Sequence, residues 1–203
     1  MTHESPMKTA PSRRMFAYWN ERRGSRLAPE RGDIEPGAIR QSLGDSFIIT
    51  YDPTDDHPFR LAGTRVCALF GRELKGTPFV HLWDPASRGR VRELAATVAD
   101  EANPFVAGVA ARTAEGSDAD LELLVLPLYH RGKMRVRLLG VLAPLAVPYW
   151  LGAEHVATLT LGATRHLGGA IATAEVARLA RPLDPPERLR PALTVYEGGR
   201  NRE

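Results

Sequence analysis

Residues 120–129 constrain the fold more than any other stretch of this chain. They read Asp-Leu-Glu-Leu-Leu-Val-Leu-Pro-Leu-Tyr. In an extended strand Leu121, Leu123 and Val125 fall on one face, and Leu124, Leu126 and Leu128 on the other. A strand that is apolar on both faces needs cover on both sides of its sheet. Its sequence neighbours are strands too. Residues 105–113 precede it across the polar turn Glu115-Gly116-Ser117-Asp118, and residues 133–143 follow it across Arg131-Gly132. In the third strand Arg131, Lys133, Arg135 and Arg137 alternate with Met134, Val136 and Leu138, which sets a basic stripe on one face.

The candidate covers lie upstream. Residues 46–51 alternate with Phe47, Ile49 and Tyr51 on one face, and after the turn-rich DPTDDHP a second strand over 59–63 closes a hairpin. Residues 64–70 read as a one- or two-turn helix stopped by Gly71, with further helical turns over 73–75 and 78–83. Asp84-Pro85 is a capping carboxylate followed by proline at the first helical position. From there Val91, Leu94, Ala95, Val98 and Ala102 recur at helical spacing up to Asn103, where Pro104 disfavours continuation.

These helices can cover one face. For the other, the N-terminal segment is the candidate. Residues 1–11 are polar and without period, hence expected to be loose. Ser12 is then expected to cap a helix over 13–23 that carries Met15, Tyr18 and Trp19 on one face, Phe16 at its edge and arginines on the flanks, with Gly24 as its stop. A short helix over 34–42 with Asp33 as N-cap follows.

The order is helix arm, two strands, several short helices, one long helix, three strands. That predicts an α+β fold with a five-stranded antiparallel sheet, short helices on one face and an N-terminal helix arm. At 203 residues the chain has material for one domain of ordinary size with flanking arms. It divides into an arm over 1–45, a core over 46–145 and an extension over 146–203. In the extension residues 155–161 suggest an additional short strand, and residues 178–203 read as a surface tail.

Hydrophobic residues at 43% and charged residues at 25% are those of a globular protein. A net charge of +3, from 27 basic and 24 acidic residues, is too small to imply nucleic-acid binding. Cys67 is the only cysteine, which forbids an intrachain disulfide and suits a reducing compartment. The start lacks an apolar signal core. The longest uncharged stretch, the 16 residues 138–153, is interrupted by Gly140, Pro144, Pro148 and Gly152 and is shorter than the roughly 20 a membrane helix needs. A cytoplasmic protein is expected.

The segment FRLAGTRVCALFGRELKGTPFVHLW, residues 59–83, resembles the PAS signature: a strand, a short helix ending in Leu69-Phe70-Gly71, then Glu73-Leu74-Lys75-Gly76 and the pair Pro78-Phe79. With YWNERRGSRLAPERGDIEP at 18–36 and PYWLGA at 148–153, the chain resembles a bacterial family of stand-alone PAS-like proteins. One departure is that Gly63-Thr64 stand where many PAS domains carry an asparagine. The resemblance implies short helices curled over one sheet face around a sensing cavity. Its expected lining is Leu61, Cys67, Phe70, Leu74, Phe79, His81, Trp83, Phe105 and Leu123, and Val98, Val109 and Val136 join these in the expected core.

No cofactor is expected. Cys67 lies in Thr-Arg-Val-Cys-Ala-Leu-Phe, unlike the Asn-Cys-Arg-Phe-Leu-Gln context of flavin-adduct cysteines in photosensing PAS domains, and a small apolar core role suits it. The long helix carries no histidine for haem, and the histidines are not spaced as a metal set. The catalytic motifs G-x-S-x-G, G-x-x-x-x-G-K-[ST], G-x-G-x-x-G and H-E-x-x-H are absent. The reading is a non-catalytic signalling or sensory module acting on a protein partner, forming a homodimer and gated by a small ligand where one binds. Met15, Phe16, Tyr18 and Trp19 are the expected interface. The stripe Arg131, Lys133, Arg135 and Arg137 is either a solvated strand face or a dock for an acidic partner or phosphorylated ligand. A receptor for an apolar or haem-like molecule is the alternative, and a nucleic-acid regulator the second.

Overall fold

A computed structural model of the chain describes residues 7–131 and 133–168, with the side chains of Lys133, Met134 and Arg135 outside the description. The expected tail over 178–203 lies outside the described residues. The strands are β1 (Ser46–Thr50), β2 (Phe59–Ala62), β3 (Phe105–Thr113), β4 (Asp118–His130), β5 (Lys133–Pro144) and β6 (Val156–His166). They form one antiparallel sheet in the order β2-β1-β5-β4-β3-β6. The sheet therefore has six strands, not five. The additional short strand expected over 155–161 is present and longer, running along β3 from the pair Thr113↔Val156 to Phe105↔His166 as part of the sheet. Its register breaks twice and few of its residues are buried, which is why its hydrophobic alternation is weak.

β4 sits at the sheet's centre with both faces buried, as its composition requires. On the inner face lie helix α3 (Thr64–Phe70), a 3-10 turn (Phe79–Leu82) and the long helix α4 (Pro85–Glu101). Asp84 caps α4 by accepting the Ser87 N–H at 2.8 Å. On the outer face α1 (Ala10–Arg23) lies across β4 and β5, and its Met15, Phe16 and Trp19 join Leu124, Leu126, Leu139 and Val141 in a second core.

The start of α1 differs from the sequence reading. Its N-cap is Thr9, whose hydroxyl accepts the Ser12 N–H, and Pro11 sits in the first turn. Proline is at no disadvantage there, because first-turn N–H groups have no helical acceptor. Of the stretch expected to be loose, residues 1–6 lie outside the described residues, and Met7 and Thr9 are buried. The helix expected over 34–42 is reduced to a single turn, α2 (Arg40–Leu43), preceded by a 3-10 turn over Arg31–Asp33. Pro36 and Gly37 interrupt the interval, and Asp33 instead accepts the Glu30 N–H at 3.0 Å and pairs with Arg26.

Candidate functional site

Four aromatic side chains meet on the inner face where a sensing cavity was expected. β1 supplies Phe47, β2 supplies Phe59, and the 3-10 turn and its end supply Phe79 and Trp83. The ring of Phe47 stands 5.4 Å from Phe59 and 5.6 Å from Phe79, and Phe79 stands 5.7 Å from both Phe59 and Trp83. All four are at most 3% exposed, so the rings occupy the space between sheet and helices. Gly140, opposite Phe47 in the β1–β5 register, makes room: a Cβ there would overlap the Phe47 ring.

Of the expected lining, Phe70, Leu74, Phe79, Trp83, Phe105 and Leu123 do converge in this core. Cys67 is half-buried at its edge, with Sγ 3.9 Å from both the Ala62 carbonyl and a Glu73 carboxylate oxygen. Leu61 is a correction. It is 47% exposed, on the opposite face from Phe59. A bulge between Ile48 and Ile49 pairs Phe59 with Ile49 but Leu61 with Ile48, so two residues of equal parity point to opposite sides. His81 is a second correction. It turns outward to Asp56, which it meets at 3.2 Å. Asp56 also accepts Arg92 Nε at 2.8 Å and Nη2 at 3.0 Å, tying the β1–β2 turn to α4. The Arg92 hydrogen bonds hold the Asp56 carboxyl below its usual range. Val136, expected in the core, is half-buried.

His57 was not singled out, yet it is buried in the same turn, stacked on Tyr51 at 5.1 Å, its Nδ1 accepting the Asp52 N–H at 3.1 Å. Burial pushes its pKa below the ordinary histidine value, outweighing the attraction of Asp56 and Asp52. The unfolded chain takes up a proton near pH 6.5. The stabilising contribution is therefore complete above that value and is lost as pH falls through the lower folded value. His57→Asn, which tolerates the native φ of 62°, is expected to flatten the stability–pH slope in urea melts between about pH 5 and 7. An unchanged slope would assign the pH dependence to other groups.

The interface residues are also corrected. Met15, Phe16 and Trp19 are spent inside the chain, covering the outer face, and Trp19 Nε1 donates to the Pro127 carbonyl at 2.8 Å. Tyr18 is half-buried, its hydroxyl donating to the Asp33 carbonyl and accepting the Glu35 N–H. In the basic stripe Arg131 is exposed. Arg137 donates to Thr50 Oγ1 at 2.8 Å, and burial and the neighbouring Arg60 lower its pKa. The side chains of Lys133 and Arg135 lie outside the described residues.

One polar anchor escaped the sequence reading. Glu122 of β4 is 3% exposed, and its carboxylate accepts the Lys8 N–H at 2.5 Å, the Thr9 N–H at 2.9 Å and the Thr9 hydroxyl at 2.7 Å. It thereby pins the start of α1 to the centre of the sheet. The signal in the sequence was a lone charge in a doubly apolar strand.

The sequence model of the PAS domain matches residues 7–143, about two thirds of the chain and the whole span from the pinned arm to the end of β5. The chain belongs to the PAS domain family. No curated protein matches this PAS domain. Among solved structures it is similar to a light-oxygen-voltage domain, at 18% identity and a TM-score of 0.43 over 55% of this chain and 84% of that one. It is likewise similar to a PAS domain from Colwellia psychrerythraea, at 16% identity and 0.39 over 54% of this chain and 97% of that one. A third is the LOV protein of Rhodobacter sphaeroides, at 15% identity and 0.41 over 50% of this chain and 59% of that one.

Beside the arm, the PAS domain exposes an apolar ridge. In the connection from β5 to β6, Val147 is 79% and Tyr149 89% exposed, and Leu145 and Leu151 are open as well. Trp150 holds the connection down, buried, with Nε1 donating to the Asp118 carbonyl at 3.2 Å. Leu145, Val147 and Leu151 border a cavity of about 410 Å3 against residues 8–11, with the Asp45–Arg65 ion pair at its rim. Among the described residues no three His, Cys, Asp or Glu gather as a metal site, and no helix is long and apolar enough to cross a membrane.

Proposed function

We propose that this PAS domain is a non-catalytic cytoplasmic signalling module whose output passes through protein contacts, the first of them a homodimer formed by the ridge at Leu145, Val147, Tyr149 and Leu151. The exposed ridge carries this reading, because contiguous apolar surface on a soluble domain is characteristic of interaction sites. The interior supports it: the space in which a PAS scaffold can hold a ligand is filled by Phe47, Phe59, Phe79 and Trp83. The arm supports it too, since its aromatic face is consumed in covering the sheet and the ridge next to its start is left for a second chain. Cys67 as the only cysteine fits a reducing compartment.

Light scattering and sedimentation across a concentration series test the reading. A reversible dimer is expected, with Tyr149→Ala weakening it by about 30-fold or more, the range of an aromatic hot spot. Val147→Asp should leave a folded monomer. A wild-type chain that stays monomeric at every concentration would remove the homodimer, and a dimer untouched by both substitutions would remove the ridge. Deleting residues 1–24 is no substitute for these variants, because it strips the cover from Leu124, Leu126, Leu139 and Val141.

A further inference from the structure

At the rim of the outer core three segments meet around a cavity of about 660 Å3: the end of α1 with Trp19 and Arg23, the end of α4 with Glu101 and Asn103, and the end of β6 with His166. Two atoms here lack what burial demands. Asn103 Oδ1 and His166 Nδ1 are shielded from solvent and make no hydrogen bond among the described residues, although buried polar atoms are almost always paired. Both belong to residues that wall this one cavity, so a ligand there would pair them by drawing the two side chains toward it. The wall is narrow beside Asn103: a Cβ on Gly168 would stand 2.7 Å from its Oδ1.

Charge is divided between the walls. Helix α4 ends here, presenting the negative pole of its dipole, and Glu101 in its last turn is exposed. On the α1 wall the Arg23 guanidinium lies 5.4 Å from the centre of the Trp19 ring. Its Nε donates to Asn20 Oδ1 at 2.8 Å and its Nη1 to the Arg26 carbonyl at 3.1 Å. Its Nη2 carries no hydrogen bond among the described residues. The guanidinium is therefore held in place with one donor edge left over.

We propose that this cavity binds a small zwitterion with a primary ammonium group beside a carboxylate, of which the α-amino acids are the simplest class. An ammonium group brings three N–H donors. Asn103 Oδ1, His166 Nδ1 in its Nε2–H tautomer and the Glu101 carboxylate offer three acceptors, at the helix end that favours positive charge. The ligand carboxylate takes the open edge of Arg23, a charge-assisted contact on a side chain already ordered by Trp19, Asn20 and Arg26. Recognition needs both charges, so a compound with only one of them binds poorly. The site shares no residue with the ridge proposed for dimer formation and lies outside the aromatic interior.

Isothermal titration calorimetry of the full chain tests it, with each standard α-amino acid as probe and with propionate and ethylamine as the single-charge fragments of alanine. Saturable heat is expected for at least one amino acid and for neither fragment at equal concentration. Arg23→Gln and Asn103→Leu should each weaken binding by at least about tenfold, the loss of one charge-assisted hydrogen bond. Thermal melts of the unliganded variants check their fold, and should Asn103→Leu melt without cooperativity, Arg23→Gln decides. No saturable heat with any amino acid overturns the proposal. Equal binding by propionate or ethylamine overturns the zwitterion, and affinity unchanged in a folded Arg23→Gln overturns the site.

Discussion

Replacing Phe47 by alanine is expected to lower the stability of the domain by about 3–5 kcal/mol, the usual loss for a buried aromatic. Phe47 is fully buried, touches the rings of Phe59 and Phe79, and lies over Gly140 on the next strand. Truncation leaves a cavity between the sheet and the inner helices, lined by the rings of Phe59 and Phe79. The same contact makes a second, sharper expectation. Gly140→Ala alone forces its new methyl into the Phe47 ring and should cost about 1–3 kcal/mol as overpacking. In the Phe47→Ala background that methyl enters vacated space, so Gly140→Ala should become neutral or stabilising. Urea melts of the two single variants and the double variant measure the coupling. Additive losses would show that Phe47 does not occupy the space above Gly140.

Much of this architecture is legible in the sequence because local physics and global fold agree. The apolar run of β1, the Asp84-Pro85 start of α4 and the doubly apolar β4 each have one cheap solution, and the requirement for cover on both faces of β4 forecasts the place of α1. The failures have physical causes too. Leu61 has the parity of Phe59, and nothing local announces the bulge that reverses it. β6 is legible only in part, over 155–161: it is an edge strand whose exposed positions need no apolar residue, so its periodicity is weak where its backbone pairing is long. The aromatic residues of α1 look like an interface when read along one helix, because their partners on β4 and β5 are more than a hundred residues away. Read in three dimensions they are core, and surface apolarity moves to residues 145–151.

Glu122 is the clearest case of information that only the tertiary structure holds, and it yields the second large effect. Three donors of the arm converge on its carboxylate, two of them backbone N–H groups that precede α1 and have no helical acceptor. Glu122→Leu suits the apolar surroundings but strands those donors against the sheet. Hydrogen bonds to a charged group contribute about 1.5–3 kcal/mol each and overlap when they share one acceptor, so a net loss of about 3 kcal/mol is expected. Glu122→Gln keeps the shape and one acceptor oxygen while turning an NH2 group toward an N–H, and should recover less than half of that loss. The damage should also be local in origin. Hydrogen exchange of the α1 amides is expected to accelerate before that of β3 and β4, since the arm's anchorage is released while the inner core stays intact. Once the arm opens, Leu124 and Val141 meet water, and the variants should bind a hydrophobic dye that the wild-type domain does not. A Glu122→Leu chain with unchanged denaturation midpoint and unchanged α1 exchange would show that the arm is held by Met15, Phe16 and Trp19 alone.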